Sequence, residues 1–297
     1  MQQMREIYER ISRLNDTGRK QLFVTDLDGT LLDNYARITS ASARIISELS
    51  HCGALISIAT ARTPATVDLL MAHTFTTIPA IVMTGAAMWN RAHRSYMEPR
   101  YIDVSAVALA VGECRNAGIN PFVYTLGAGN VLHVYHNGAL NPKEEKFISD
   151  RRGLLLKKFH IDEPAGRADT FDNTMLIFAT GPAEPIFELA DKFRHSTALS
   201  VSAYRDTYNP SAGILEILAG GVSKAAAVLR LKELTGAEKL TVFGDNLNDL
   251  SMMAVADTAV ATANAAESVR DAADVVIGPN TEDSVATYIL EQLEKYM

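Results

Sequence analysis

The feature that most limits what this chain can fold into is a strand–helix alternation that runs from about residue 21 to residue 85, stops, and resumes past residue 220. Gln21-Leu22-Phe23-Val24-Thr25 is a short apolar, β-branched run that leads straight into the polar turn Asp26-Leu27-Asp28-Gly29-Thr30. It predicts a strand that ends where the acids begin. Thr39 or Ser40 can cap a helix to about Cys52, with Ile45, Ile46 and Leu49 on one face and Gly53 as its stop. Ala54–Ala59 reads as a buried strand ending at Thr60, Thr63-Pro64 opens a further helix, and Ala80–Met83 is the next strand. Strands and helices in strict alternation specify a parallel sheet covered by helices.

After Gly85 the pattern changes. A helix near Val104–Gly118, strands Phe122–Leu126 and Val131–His136 around Gly127-Ala128-Gly129, and a helix over Pro142–Arg152 are expected. Strand Met175–Ala179, helix Glu184–Arg194 and strand Leu199–Tyr204 complete a separate α+β unit with an antiparallel sheet. The alternation returns with a helix capped by Ser223 and the strand Leu240–Phe243, which runs into Gly244-Asp245-Asn246-Leu247-Asn248-Asp249. A strand near Ala273–Ile277 and a helix near Ser284–Tyr296 follow. The expected architecture is a doubly wound, mostly parallel α/β core made of residues 1–86 and 213–297, with an α+β domain inserted at 87–212. At about 150 residues per domain, a chain of 297 residues accommodates both. Met4, Ile7, Ile11 and Leu14 share one stripe of an additional amphipathic helix over about 3–15, suited to pack on the core or to pair with another chain. Monomer and homodimer both stay open.

Composition removes several function classes. Lys and Arg number 28 and Asp and Glu 35, so the net charge of −7 offers no basic field for a nucleic-acid backbone. Two cysteines, Cys52 and Cys114, make neither a disulfide framework nor a zinc cluster. Apolar runs such as Ala225-Ala226-Ala227-Val228-Leu229 are broken by charge before the ~18 residues a membrane span needs. The first twenty residues mix Arg5, Glu6, Glu9, Arg10 and Arg13 among apolar ones, unlike a signal peptide, so the cytoplasm is the expected compartment.

In open α/β sheets ligands bind at the carboxyl ends of the strands. Here those ends carry Asp26 and Asp28, Thr60 and Arg62, Thr84 and Gly85, and Asp245, Asn248 and Asp249. Bringing Asp26, Asp28 and Asp245 together costs about 4 kcal/mol per pair at 4 Å, even at an effective dielectric of 20. A cation must offset that repulsion, and an all-oxygen site with open positions suits Mg²⁺. A lone Asp-x-Asp is more often a solvated turn, and Lys224 alone more often a solvated helix residue; it is their joint occurrence at strand ends that carries the expectation. Lys224 at a helix start, and Thr60 just before another, are suited to an anion. An anion beside Mg²⁺ suggests phosphate, and an aspartate beside both can itself be the nucleophile.

Asp26-Leu27-Asp28-Gly29-Thr30-Leu31-Leu32, Ile58-Ala59-Thr60-Ala61-Arg62, Gly221-Val222-Ser223-Lys224 and Gly244-Asp245-Asn246-Leu247-Asn248-Asp249 resemble, in order, the four motifs of haloacid-dehalogenase-superfamily phosphatases. The long insertion, and the tail Val269–Asp274 with Asn280-Thr281-Glu282-Asp283, resemble the Cof-type sugar-phosphatase branch with its large α/β cap. The resemblance implies a Rossmann-like core and a Mg²⁺-dependent phosphatase of small phosphorylated metabolites, sugar phosphates first. It implies Asp26 as nucleophile and metal ligand, and Asp28 as general acid/base, ligating the metal through its carbonyl. It further implies Thr60, Ala61, Lys224 and Asn248 around the phosphate, Asp245 completing the metal site, and Asp249 orienting a metal-bound water or Lys224 from behind.

Two positions depart from the family pattern. Ala61 stands where Gly is common, which would strain a site needing φ > 0, and Thr84-Gly85-Ala86 stands where Asn-Gly-Ala is usual. Both are expected to alter substrate fit and leave the chemistry intact. Trp89, Tyr124, His133, His136, Arg205 and Tyr208 could set specificity from the cap, although such residues are more often packing or strand-surface groups. A phosphomutase would share the nucleophile and metal, and a catalytically silent metal- and phosphate-binding module would share the ligands. A glycosyltransferase could use Asp-x-Asp with a metal but has no need of Lys224 or the Gly244–Asp249 segment.

Overall fold

The computed structural model describes residues 5, 6, 8, 9, 11–13, 20–162, 171–206 and 209–295. In chain order the first elements are β1 (Gln21–Thr25), α1 (Ser40–His51), β2 (Leu55–Ile58), α2 (Pro64–Leu70), β3 (Ala80–Val82), β4 (Ala87–Asn90) and β5 (Ser95–Met97). Then come α3 (Val104–Asn116), β6 (Phe122–Leu126), β7 (Leu132–His136), α4 (Pro142–Ser149), β8 (Lys157–Ile161), β9 (Thr174–Pro182), α5 (Ala183–Phe193), β10 (Leu199–Arg205) and β11 (Ala212–Ala219). The last are α6 (Lys224–Thr235), β12 (Lys239–Gly244), α7 (Leu250–Met253), β13 (Thr258–Thr262), α8 (Glu267–Asp271), β14 (Val275–Ile277) and α9 (Ser284–Lys295).

Two compact units result, one of residues up to 97 with those from 223 on, the other of 98–222. Both junctions lie later in the chain than 86/87 and 212/213. On the first side, β4 and β5 continue from β3 as an antiparallel meander and stay with the first unit. On the second, β11 is paired to β9 and β10 inside the other sheet, so a boundary at 213 would cut a strand.

In the first unit five parallel strands run in the order β14-β13-β12-β1-β2, and a parallel bridge from Ala59 to Ile81 brings β3 alongside β2. Leu22, Val24, Leu240 and Val242 pack with Val228 and Leu231 of α6 and Met252 and Met253 of α7. On the opposite face Phe243 meets Tyr288 of α9 edge-on, 5.6 Å between ring centres. Covering both faces is why β1 and β12 are mainly apolar with no polar–apolar alternation. Each fully buried aliphatic side chain contributes about 1.5–3 kcal/mol. The residues described between 5 and 13 are helical, with Ile11 buried and Arg5, Glu6, Tyr8 and Glu9 exposed. Met4, Ile7 and Leu14 of the expected stripe lie outside the described residues.

The second unit holds a six-stranded sheet in the order β10-β11-β9-β6-β7-β8. It is antiparallel except between β7 and β8, which pair in parallel, where the sequence predicts an antiparallel sheet. The reason is α4, which lies between them in the chain and makes the crossover that a parallel pair requires. Phe147 of α4 packs on Phe122 and Phe178 of the sheet.

Candidate active site

Strand register assembles the site. Thr25 pairs with Phe243 of β12 on one side and Ile58 of β2 on the other, so Asp26, Asp245 and Thr60 leave three adjacent strands at one level. The Asp26 amide donates to the Phe243 carbonyl at 2.9 Å and the Ala59 amide to the Thr25 carbonyl at 2.9 Å, carrying the ladder up to the first acid. The chain reaches β2 on one side of β1 and later returns as β12 on the other, which makes the β1/β12 border the topological switch point where a crevice opens.

Lys224, the first residue of α6, points its fully buried side chain between two acids. Its ammonium donates to Asp26 Oδ1 at 2.6 Å and to Asp249 Oδ1 at 2.7 Å. Asp249, itself without solvent exposure, accepts at its other oxygen from the Asp245 and Asn246 amides, both at 3.1 Å. Asp249 therefore fixes both the ammonium and the turn that carries Asp245. Asp245 accepts from the Thr30 hydroxyl at 3.0 Å, and a Cβ on Gly29, whose φ is +76°, would stand 2.3 Å from Asp245 Oδ2. Only glycine fits that approach. The Gly29 carbonyl is held in turn by the Asn264 amide group at 2.8 Å, and Asn280 donates to the Leu32 carbonyl at 2.7 Å.

Ligand atoms of Asp26, Asp245 and Asp249 lie within 4.8 Å of one another. Burial, opposed by Lys224 but reinforced by Asp249 and Asp245, pushes Asp26 up to about 8. Burial and Asp249 push Asp245 up to about 6. Burial by itself would lower the Lys224 ammonium, but Asp26 and Asp249 outweigh it and hold the group above its ordinary value. Three carboxylates thus face one ammonium, and among the described residues Asp26 Oδ2 and Asp245 Oδ2 receive no hydrogen bond. An all-oxygen donor set with a deficit of positive charge fits a hard divalent cation such as Mg²⁺.

The Asp28 carboxylate turns elsewhere, accepting from Arg62 Nε at 2.7 Å and Nη2 at 2.6 Å. The Thr60 hydroxyl accepts from the Arg62 amide at 3.2 Å, and the Thr60 carbonyl from the Thr84 amide at 3.0 Å. Ala61 has no positive φ; the left-handed residues in this neighbourhood are Met83, Thr84 and Gly85. The strain expected at Ala61 does not arise; separately, Thr84 is a β-branched residue held at φ 56°. Asn248 is exposed on the turn Leu247–Asp249.

Of the candidates for specificity, Trp89 falls on β4 in the first unit, wholly buried, its indole donating to Asp68 at 2.8 Å. It is a packing residue. Tyr124 and His136 are buried on β6 and β7, the latter stacked on Phe122 at 4.3 Å. His133 Nδ1 lies 2.9 Å from His160 Nε2, and Arg205 donates to the Pro210 carbonyl at 2.7 Å. Tyr208 lies outside the described residues. Arg62, Asn264 and Asn280 are the site-building residues that the sequence did not single out for a role; the only signal was that Arg62 shares a strand end with Thr60 and that Asn280 begins the polar tail.

A family model described as haloacid dehalogenase-like hydrolase matches residues 23–289. The chain is 42% identical over 81 residues to the pyridoxal phosphate phosphatase YbhA of Escherichia coli, an alignment covering 27% of this chain and 30% of that protein. It is 26% identical over 271 residues to the 5-amino-6-(5-phospho-D-ribitylamino)uracil phosphatase YcsE of Bacillus subtilis, covering 91% of this chain and 94% of that one. Among solved structures, a haloacid dehalogenase-like hydrolase from Bacteroides thetaiotaomicron superposes with a TM-score of 0.73 at 22% identity, covering 94% of this chain and 100% of the other.

Proposed function

The chain belongs to the haloacid dehalogenase-like hydrolase family, and on that premise we propose that it is a Mg²⁺-dependent phosphatase of small phosphomonoesters, phosphorylated sugars and sugar-bearing metabolites first among them. The observation that carries this reading is the buried ammonium of Lys224 set between Asp26 and Asp249 with Asp245 beside them. That arrangement occupies one Asp26 oxygen with Lys224 and leaves the other without a hydrogen bond among the described residues. The names of the two relatives, one acting on pyridoxal phosphate and one on a phosphoribityl compound, support a small phosphorylated metabolite as substrate.

In the proposed reaction the Asp26 oxygen not bonded to Lys224 attacks phosphorus. The bond from phosphorus to the leaving oxygen breaks, and Asp28 delivers a proton to that oxygen. Water then attacks the aspartyl phosphate at phosphorus, gives its proton to Asp28, and releases inorganic phosphate and the Asp26 carboxylate. Lys224, the Thr60 hydroxyl, the Ala61 amide and Asn248 hold phosphoryl oxygens, while Asp249 keeps Lys224 aimed. Mg²⁺ held by Asp26, Asp245 and the Asp28 carbonyl would neutralise phosphoryl charge when bound. The loose transition state of phosphoryl transfer leaves mainly charge and position for these groups to supply. The unit of residues 98–222 would select the leaving group.

The test is release of inorganic phosphate from p-nitrophenyl phosphate and a panel of small phosphate esters, with Mg²⁺ and with chelator, for the native chain and Asp26→Asn. Turnover that needs Mg²⁺ and vanishes in the folded variant is expected. Undiminished turnover by Asp26→Asn removes the nucleophile assignment.

A further inference from the structure

Asp28 is the most exposed acid of the site, its side chain 53% accessible, and it sits on a turn bent at Gly29. A free aspartate there would sample several rotamers, and a proton donor that wanders loses most of the benefit of being nearby. Among the described residues one group restrains it. Arg62 Nε and Nη2 each take one Asp28 oxygen, at 2.7 and 2.6 Å, in a planar two-pronged contact. Arg62 is itself anchored: its amide donates to the Thr60 hydroxyl at 3.2 Å and its carbonyl accepts from the Met83 amide at 3.0 Å. The Arg62 side chain is only 24% accessible. The fork therefore ties the Asp28 carboxyl plane to the loop that carries Thr60.

We propose that Arg62 is a positioning residue that holds the Asp28 carboxyl in line with the leaving oxygen throughout the catalytic cycle. This rests on Asp28 being the general acid. Two prongs from one planar guanidinium hold the Asp28 carboxyl against rotation as well as displacement. A lysine supplies the charge without the fork and cannot fix the plane.

The experiment measures kcat/KM, which ends at phosphoryl transfer to Asp26, for Arg62→Met, Arg62→Lys and Asp28→Asn on two esters. p-Nitrophenyl phosphate has a leaving group that departs without help; propyl phosphate needs a proton. The ratio between the esters is read within one preparation, so it does not depend on how much of a variant is folded. General acid catalysis is typically worth about 10²–10⁴-fold. Arg62→Met should therefore lose about 100-fold on propyl phosphate and less than about fivefold on the aryl ester, with Asp28→Asn showing the same selectivity more strongly and Arg62→Lys falling between native and Met. Equal losses on both esters in Arg62→Met, or a native ratio in either Arg62 variant, overturn the proposal. If Asp28→Asn keeps its selectivity in that event, only the Arg62 assignment falls. If Asp28→Asn also loses equally on both, the general-acid reading falls with it.

Discussion

Lys224→Met removes the one ammonium that Asp26 and Asp249 share and leaves the stem that packs around it. The native contacts are 2.6 and 2.7 Å, and the accessibilities are 0% for the lysine side chain, 9% for Asp26 and 0% for Asp249. Without the ammonium, carboxylates whose ligand atoms lie within 4.8 Å face one another and Asp245, repelling by about 4 kcal/mol per pair at 4 Å and an effective dielectric of 20. Stripping the partner from a buried ion pair costs about 3–5 kcal/mol. Asp249 keeps its two backbone donors, which offset part of that penalty, so a loss of about 3–4 kcal/mol of unfolding free energy is expected in chelator. The assay is urea denaturation followed by circular dichroism, native chain against variant. Adding Asp249→Leu to Lys224→Met removes one stranded acid, so the double variant should be less destabilised than the sum of the singles by about 1–3 kcal/mol. On a phosphate ester, kcat/KM should fall by about 10²–10³-fold for loss of one charge-stabilising donor. A Lys224→Met protein within about 1 kcal/mol of native, or strict additivity with Asp249→Leu, would refute the view that this ammonium holds the acids together.

Gly29→Ala places a Cβ 2.3 Å from Asp245 Oδ2 at a φ of +76°. Calorimetric titration should show Mg²⁺ affinity weakened by about tenfold or more, as when a group that orients a ligand is lost. Thr84→Asn exchanges a β-branched residue at φ 56° for one that tolerates the left-handed region. Unfolding free energy should rise by about 1 kcal/mol in chemical denaturation. Burial lowers the His136 pKa from its ordinary 6.5, with Glu144 and Asp162 opposing in part. The unfolded chain then binds the proton more tightly, so stability is full above pH 6.5 and declines as pH falls through it towards the folded value. His136→Phe should flatten that decline in denaturation curves recorded across the window.

The parts of the fold legible in the sequence are those with a strong local signal. β1 and β12 are buried on both faces, so each is a short, mainly apolar and β-branched run followed at once by an acid, and the residue pattern alone assigns Asp26, Asp245 and Thr60 to strand ends. β13 escapes such a reading because Thr258-Ala259-Val260-Ala261-Thr262 is short and alanine-rich. β8 escapes it because Lys157-Lys158-Phe159-His160-Ile161 reads as a charged loop. The parallel pairing in the second sheet depends on β8, and the later domain junction on β11, so neither is legible without those strands. Within the site, the Arg62–Asp28 fork and the Asn264 and Asn280 contacts join segments 34, 235 and 248 residues apart. No local pattern encodes those contacts; they exist only once the strands are in order.

The claim on which the rest depends is that Asp26 is phosphorylated during turnover. Quenching the working enzyme in acid, reducing it with borohydride and mapping the peptides by mass spectrometry tests it directly, because an acyl phosphate is reduced to the corresponding alcohol. Substrate-dependent conversion of Asp26 to homoserine is the expected result. Active enzyme with Asp26 unmodified, or with the modification at another carboxylate, would contradict it.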